Sequence, residues 1–131
     1  MILGIGTDII EVARVKRALA QKGFKEKVYS EKEIEYCERD ENGLRFAARY
    51  AAKEAFAKAM GTGWLSEVEI NTVEVLNDEK GKPFIFLSGK ALEIFRVMNG
   101  GVIQVSLSHI KEAAIAFVVV EYRQGFLKHE V

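Results

Sequence analysis

The segment from Leu44 to Met60 constrains this chain more than any other part of it. It is built almost wholly of good helix formers, and RYAAKEAFAKAMGTG stops at a Gly-Thr-Gly. At a 3.6-residue period, alanines and aromatics occupy nearly its whole circumference, and a helix that is apolar all round is buried. The fold must therefore surround this helix with other elements. Yet Arg49, Lys53, Glu54 and Lys58 sit within it.

Arg49 and Lys53 are four residues apart, so they share a face and repel; Glu54 and Lys58 have the same spacing in the favourable acid-then-base order. The plain reading is one helical ion pair plus two solvated cations. It fits poorly, because the helix offers no solvated face. Burying an uncompensated cation is costly, so something anionic is expected beside these residues. The neighbouring chain has few candidates, and a phosphate-bearing ligand would serve. Gly61 and Gly63 beyond the helix can end it without further function, or let backbone N–H groups approach an anion closely.

The rest of the chain alternates between strand and helix patterns. ILGIGTDII reads as a strand, and EVARVKRALAQKG as an amphipathic helix with a Val12, Val15 and Leu19 stripe, ending at Gly23. SEKEIEYCERD opens with a capping box of Ser30 and Glu33. VEINTVEVL and PFIFL form a hairpin through NDEKGK, and SGKALEIFRVMNGG is a helix started by Ser88. VIQVSLS and AAIAFVVVEY pair through HIKE, and the RQGFLKHEV tail is expected to fray. The expected architecture is α+β, an antiparallel sheet packed with helices, as one domain over residues 1–131.

In the first strand a period of two puts Gly4, Gly6, Asp8 and Ile10 on one face. The glycines clear room there for a close helix or ligand. Asp8 is then either a simple cap of the next helix or a functional carboxylate. Were it to meet Glu54, the two carboxylates would suit Mg²⁺, which takes few protein ligands and completes its shell with phosphate and water.

Nineteen Lys and Arg balance nineteen Asp and Glu. That balance argues against a chain-wide nucleic-acid footprint. The lone Cys37 excludes an internal disulfide and suits a reducing cytoplasm. MILGIG lacks a charged leader, so no signal peptide is expected, and AAIAFVVV is too short to span a bilayer.

GIGTDIIEVARV, RYAAKEAFAKAMGTG and VSLSHIKEAAIAFVVVE stand in order and in register. Together they resemble the holo-acyl-carrier-protein synthases, the small bacterial class of 4'-phosphopantetheinyl transferases; GKP at 81–83 is similar to the family's hairpin. The resemblance covers almost the whole chain. It implies transfer of the phosphopantetheine arm of coenzyme A to a serine of apo-acyl carrier protein, with release of adenosine 3',5'-bisphosphate. It implies Mg²⁺ held by Asp8 and Glu54, and it places Arg49, Lys53, Lys58 and His109 around the donor phosphates with Gly61 and Gly63. Glu54, Lys58 and His109 are then the catalytic candidates. The general base stays open between Glu54 and His109, since histidines exchange protons near neutrality. Where the family runs close to Gly-Thr-Gly-Ile-Gly, this chain has Trp64 and Leu65, and Tyr50 stands where Phe or Trp is common.

Arg14, Arg17 and Gln21 lie opposite the stripe of the first helix, with Lys25 just beyond. A solvated basic face is the plain reading; the resemblance makes this the docking surface for an acidic carrier protein. It also implies a homotrimer with sites between subunits. Two other classes remain: an inactive coenzyme A or nucleotide binder of the same fold, and a nucleic-acid-binding module, which the zero net charge disfavours.

Overall fold

A computed structural model describes residues 1–61 and 64–125. Strand β1 (Ile2–Glu11) leads into α1 (Val12–Leu19), α2 (Phe24–Val28), α3 (Glu31–Cys37) and the long α4 (Leu44–Met60). Two 3-10 turns, Trp64–Ser66 and Ile70–Thr72, precede a hairpin of β2 (Val73–Asn77) and β3 (Pro83–Leu87). Helix α5 (Gly89–Val97) and the strands β4 (Gly100–His109) and β5 (Ala113–Tyr122) complete it. The main sheet is antiparallel in the order β1-β5-β4, while β2 and β3 pair separately.

Helix α4 is buried on nearly every side, as its composition requires. Ala47, Ala51, Ala52, Ala55 and Phe56 are fully buried. One face of the main sheet lies against it. From β1, Gly4 and Gly6 face the helix so closely that an added Cβ would run into the carbonyl oxygens of Ala59 and Ala55. From β5, Ala114, Ala116, Val118 and Val120 fill the same interface. The glycine face of the strand and the alanine surface of the helix are therefore two halves of one close contact, which a larger residue on either side would open.

Helix α3 begins with the expected capping box: Ser30 Oγ accepts from the Glu33 N–H, and Glu33 Oε1 accepts from the Ser30 N–H. Elsewhere the boundaries move. The helix expected to reach Gly23 ends at Leu19, and Gly23, at φ +86°, starts the short α2 that carries Lys25. Left-handed backbone suits glycine, so Gly23 turns the chain rather than simply stopping it. The strand expected from Val68 begins only at Val73, because Ile70–Thr72 coil into a turn closed by Thr72 N–H on the Glu69 carbonyl at 2.9 Å. Ser88 stands at the start of α5, but its hydroxyl makes no capping bond. Arg123 at the start of the tail is tied to Asn99, its N–H donating to the Asn99 carbonyl at 2.8 Å and its Nε to Oδ1 at 3.1 Å. His129 lies outside the described residues.

Candidate active site

The four charges of α4 go to three different places. Lys53 is fully buried, and its ammonium donates to Glu33 Oε1 at 2.8 Å, to the Val73 carbonyl at 2.7 Å and to the Ile70 carbonyl at 3.2 Å. Those three bonds use all its donors. Glu33, also fully buried, accepts from the Val75 N–H at 2.9 Å through its other oxygen. Burial pulls the Lys53 pKa down, and the Glu33 carboxylate acts against that pull. The expectation that Lys53 meets a donor phosphate is thus corrected: its anion is Glu33, and the pair joins α3, α4 and β2. Glu33 was legible only as a capping residue, because nothing in its local spacing points to a lysine twenty positions on.

Glu54 and Lys58 do not form the expected pair along the helix. Lys58 instead crosses to β1, donating to Asp8 Oδ1 at 3.1 Å and to the Thr7 carbonyl at 3.0 Å. Its side chain is 57 % exposed while that of Asp8 is 17 % exposed, so a sheltered carboxylate meets a solvated ammonium. Glu54 lines a cleft of about 350 Å³ with Lys58, Gly61, Trp64 and Ser66. The phenol of Tyr50 responds to the charges around it. Its pKa is raised by burial first and then by the adjacent Glu54; Asp8 pushes it the same way, and Arg14 opposes them.

Gly61 adopts φ +112° and borders this cleft, but its N–H closes the helix on the Ala57 carbonyl at 3.0 Å. It shapes the opening without offering that donor to an anion. Gly63 lies outside the described residues. Trp64 is buried edge-on against Phe56, with ring centres 5.0 Å apart, so most of it is core.

Arg49 occupies a different place. It is only 4 % exposed and lines a larger cleft of about 590 Å³ with His109, Arg45, Tyr36, Asn77 and Lys82. Five residues of helix turn Arg49 about 140° from Glu54, and nine turn it about 180° from Lys58. A single chain therefore separates Arg49 and His109 from the Asp8, Glu54 and Lys58 group. Tyr36, Asn77 and Arg45 carried no sequence signal for this cleft. Asn77 had the nearest to one, as the residue that opens the NDEKGK turn.

On α1, Arg14 and Arg17 are exposed; Gln21, also exposed, lies beyond the end of the helix rather than on its expected basic face. Lys25, on α2, is half-buried and paired with Glu38 at 3.3 Å. It is less free than the two arginines.

The donor set tests which metal would fit. Among the described residues no three His, Cys, Asp or Glu side chains gather. Asp8 and Glu54 offer hard carboxylate oxygens beside a cleft open to further oxygen ligands. That set suits Mg²⁺ and lacks the nitrogen or sulfur ligands of a closed zinc site.

The sequence and the fold of this chain are similar to those of known proteins. The sequence model of the 4'-phosphopantetheinyl transferase superfamily matches residues 4–118. The holo-[acyl-carrier-protein] synthase of Ruminiclostridium cellulolyticum is 46 % identical over 126 residues, covering 93 % of this chain and 94 % of its own. The crystal structure of a holo-(acyl-carrier-protein) synthase from Bacillus anthracis, in complex with CoA (3',5'-ADP), superimposes with a TM-score of 0.77 at 38 % identity, over 93 % of this chain and 98 % of that one. The structure of the synthase from Neisseria meningitidis gives a TM-score of 0.82 at 34 % identity, over 92 % of this chain and 99 % of that one.

Proposed function

The chain belongs to the holo-[acyl-carrier-protein] synthase family of 4'-phosphopantetheinyl transferases, and from that premise we propose that it moves the phosphopantetheine arm of coenzyme A onto a serine of apo-acyl carrier protein, with Mg²⁺, releasing adenosine 3',5'-bisphosphate. The observation that carries this reading is the contact of Lys58 with Asp8, at the edge of the cleft that Lys58 lines with Glu54. Residues fifty positions apart thereby bring one carboxylate, Asp8, to the cation of a cleft that a second carboxylate, Glu54, lines.

In the reaction the serine Oγ attacks the phosphorus that bears the pantetheine arm. The bond from that phosphorus to the oxygen bridging the diphosphate breaks, and the leaving bisphosphate takes the electron pair. Asp8 and Glu54 would hold Mg²⁺, which supplies Lewis-acid neutralisation of the diphosphate. Lys58, hydrogen-bonded to Asp8 and solvent-accessible, would offset the negative charge on the oxygens of the transferring group. Glu54 is the proton acceptor that one chain offers on this cleft. His109 stands in the Arg49 cleft, on the other side of α4.

Two features support a homotrimer with shared sites. The donor-binding cations split between two clefts that one chain keeps apart, so a neighbouring copy is needed to join them. The second face of the main sheet is also uncovered and apolar: Ile5, Ile9, Ile115 and Phe117 are all exposed on it. Such a patch on a small chain marks an association surface. Phe117→Glu should therefore convert a three-chain particle into monomers, measured by light scattering, and should lower transfer activity with the clefts of each chain unchanged. A wild-type monomer with full activity would remove the shared-site reading.

The carrier is expected on α1. Arg14 and Arg17 lie about 60° apart, away from the buried stripe of Val12 and Val15. Charges facing an acidic partner mainly speed encounter and fix its orientation. Arg14→Glu combined with Arg17→Glu should raise the carrier KM severalfold or more, leave thermal stability nearly unchanged and reduce the salt dependence of transfer, because exposed charges are screened. An unchanged carrier KM at saturating coenzyme A would place docking elsewhere.

The decisive test of the reaction is a mass measurement on apo-carrier incubated with the protein, coenzyme A and Mg²⁺. Gain of one phosphopantetheine group supports transfer. Coenzyme A binding without that gain would favour an inactive binder of the same fold. Among the described residues no helix is long and apolar enough to cross a membrane.

A further inference from the structure

Arg49 is held in an unusual way for a residue so deeply buried. Its Nη2 donates to Asn77 Oδ1, and its guanidinium carbon lies 4.3 Å from the centre of the Tyr36 ring. Its Nε is buried with no acceptor. A buried N–H without a partner is costly, and native chains seldom retain one without a reason. Here the residue lines a cleft of about 590 Å³. Among the described residues no carboxylate pairs with Arg49, so an anionic oxygen entering that cleft would meet an uncancelled charge.

The neighbouring Arg45 shows the contrast. It approaches the same ring, also at 4.3 Å, but its head is occupied within the chain: Nε pairs with Asp40 at 3.2 Å and Nη1 donates to the Tyr36 carbonyl at 3.0 Å. Asn77 in turn donates to the Gly81 carbonyl at 2.9 Å, across the β2–β3 turn. The hydrogen bonds of Arg49 and Asn77 therefore run from α4 through β2 to the turn before Lys82, and both Lys82 and His109 border the same cleft.

We propose that Tyr36 and Asn77 are positioning residues: they hold the Arg49 guanidinium so that its uncancelled charge, at the wall of the cleft, receives a phosphate oxygen of the donor. The proposal rests on the reading of this chain as a coenzyme A-dependent transferase and adds the residues that fix its anion receptor. The ring restrains the plane of the guanidinium by cation–π attraction, and the amide restrains its rotation without cancelling its charge. An acidic residue at position 77 would hold the same atoms yet neutralise the receptor.

Calorimetric titration of the whole protein with coenzyme A tests this, alongside thermal melting and the carrier mass measurement for each variant. Arg49→Lys should weaken coenzyme A roughly tenfold or more, because a charged fork is replaced by a point charge. Tyr36→Phe keeps the ring and should bind as wild type, whereas Tyr36→Leu should bind on the order of fivefold more weakly. Asn77→Asp is nearly isosteric; it loses the donor to the Gly81 carbonyl but gains an ion pair with Arg49, so it should still fold, leave the carrier KM at saturating coenzyme A unchanged and weaken coenzyme A by at least as much as Tyr36→Leu. A purely structural Asn77 would show no loss of affinity in that variant. If Tyr36→Leu does not fold, Asn77→Asp decides alone. Weakened binding in Arg49→Lys with wild-type binding in both Tyr36→Leu and Asn77→Asp would overturn the positioning roles and leave the transferase reading intact. Wild-type binding in Arg49→Lys would overturn the receptor itself. Absence of any phosphopantetheine gain with the wild-type protein would instead strike the transferase reading on which the proposal rests.

Discussion

Asp8→Asn and Glu54→Gln are each expected to fold normally and to lose transfer activity by at least about a hundredfold, the scale on which removing one preorganised transition-state partner acts. Both changes preserve shape and remove one negative charge. Asp8→Asn also weakens the hold on Lys58, which Asp8 now contacts at 3.1 Å. That frees the ammonium without supplying the missing metal ligand. Tyr50 gives an independent signal. Its phenol is raised partly by Glu54 and Asp8, so removing either charge should let it ionise at a lower pH, as read by ultraviolet titration. The binding of Mg²⁺ in the presence of coenzyme A, followed by calorimetry, should weaken in both variants. Near-wild-type turnover of either at limiting Mg²⁺ would end the assignment of these two carboxylates.

Lys53→Met is expected to cost about 3–5 kcal/mol of stability, because removing one partner of a buried pair leaves the other charge uncompensated. For a chain of this size that is a fall in Tm on the order of 10–20 °C. Glu33 would keep its bonds from the Ser30 and Val75 N–H groups, while the Ile70 and Val73 carbonyls would lose their common donor. The double variant Lys53→Met with Glu33→Gln should recover part of the loss, since no buried charge remains. Coenzyme A affinity per folded molecule should stay near wild type in both. A variant that melts normally but no longer binds coenzyme A would restore Lys53 to the donor site and remove the ion pair from its structural role.

These two sets of variants separate residues that look alike in one dimension. Lys53, Glu54 and Lys58 belong to one helix, and their spacing suggests a single cluster and one intrahelical pair. In the folded chain Lys53 faces Glu33 in the core, Lys58 faces Asp8 at the surface and Arg49 faces a second cleft. The need for counter-charges was correctly signalled by a helix with no polar face. Their identities were not, because each partner comes from an element distant in sequence.

What the chain's own order of residues determined is local. Alanines all round Leu44–Met60 required a surrounded helix, Ser30 and Glu33 required a capped one, and alternation in β1 put Asp8 on the same face as Gly4 and Gly6. These follow from backbone periods of 3.6 and 2, which covalent spacing alone sets. The tertiary structure alone decided that β5 lies between β1 and β4, that Asp8 receives Lys58 rather than leaving it to Glu54, and that α4 holds Arg49 and Glu54 about 140° apart in separate clefts. Those outcomes depend on which surfaces can approach closely enough to exclude water. Here the glycine face of β1 and the alanine face of α4 come together, and the charges beside that contact take the partners it brings within reach.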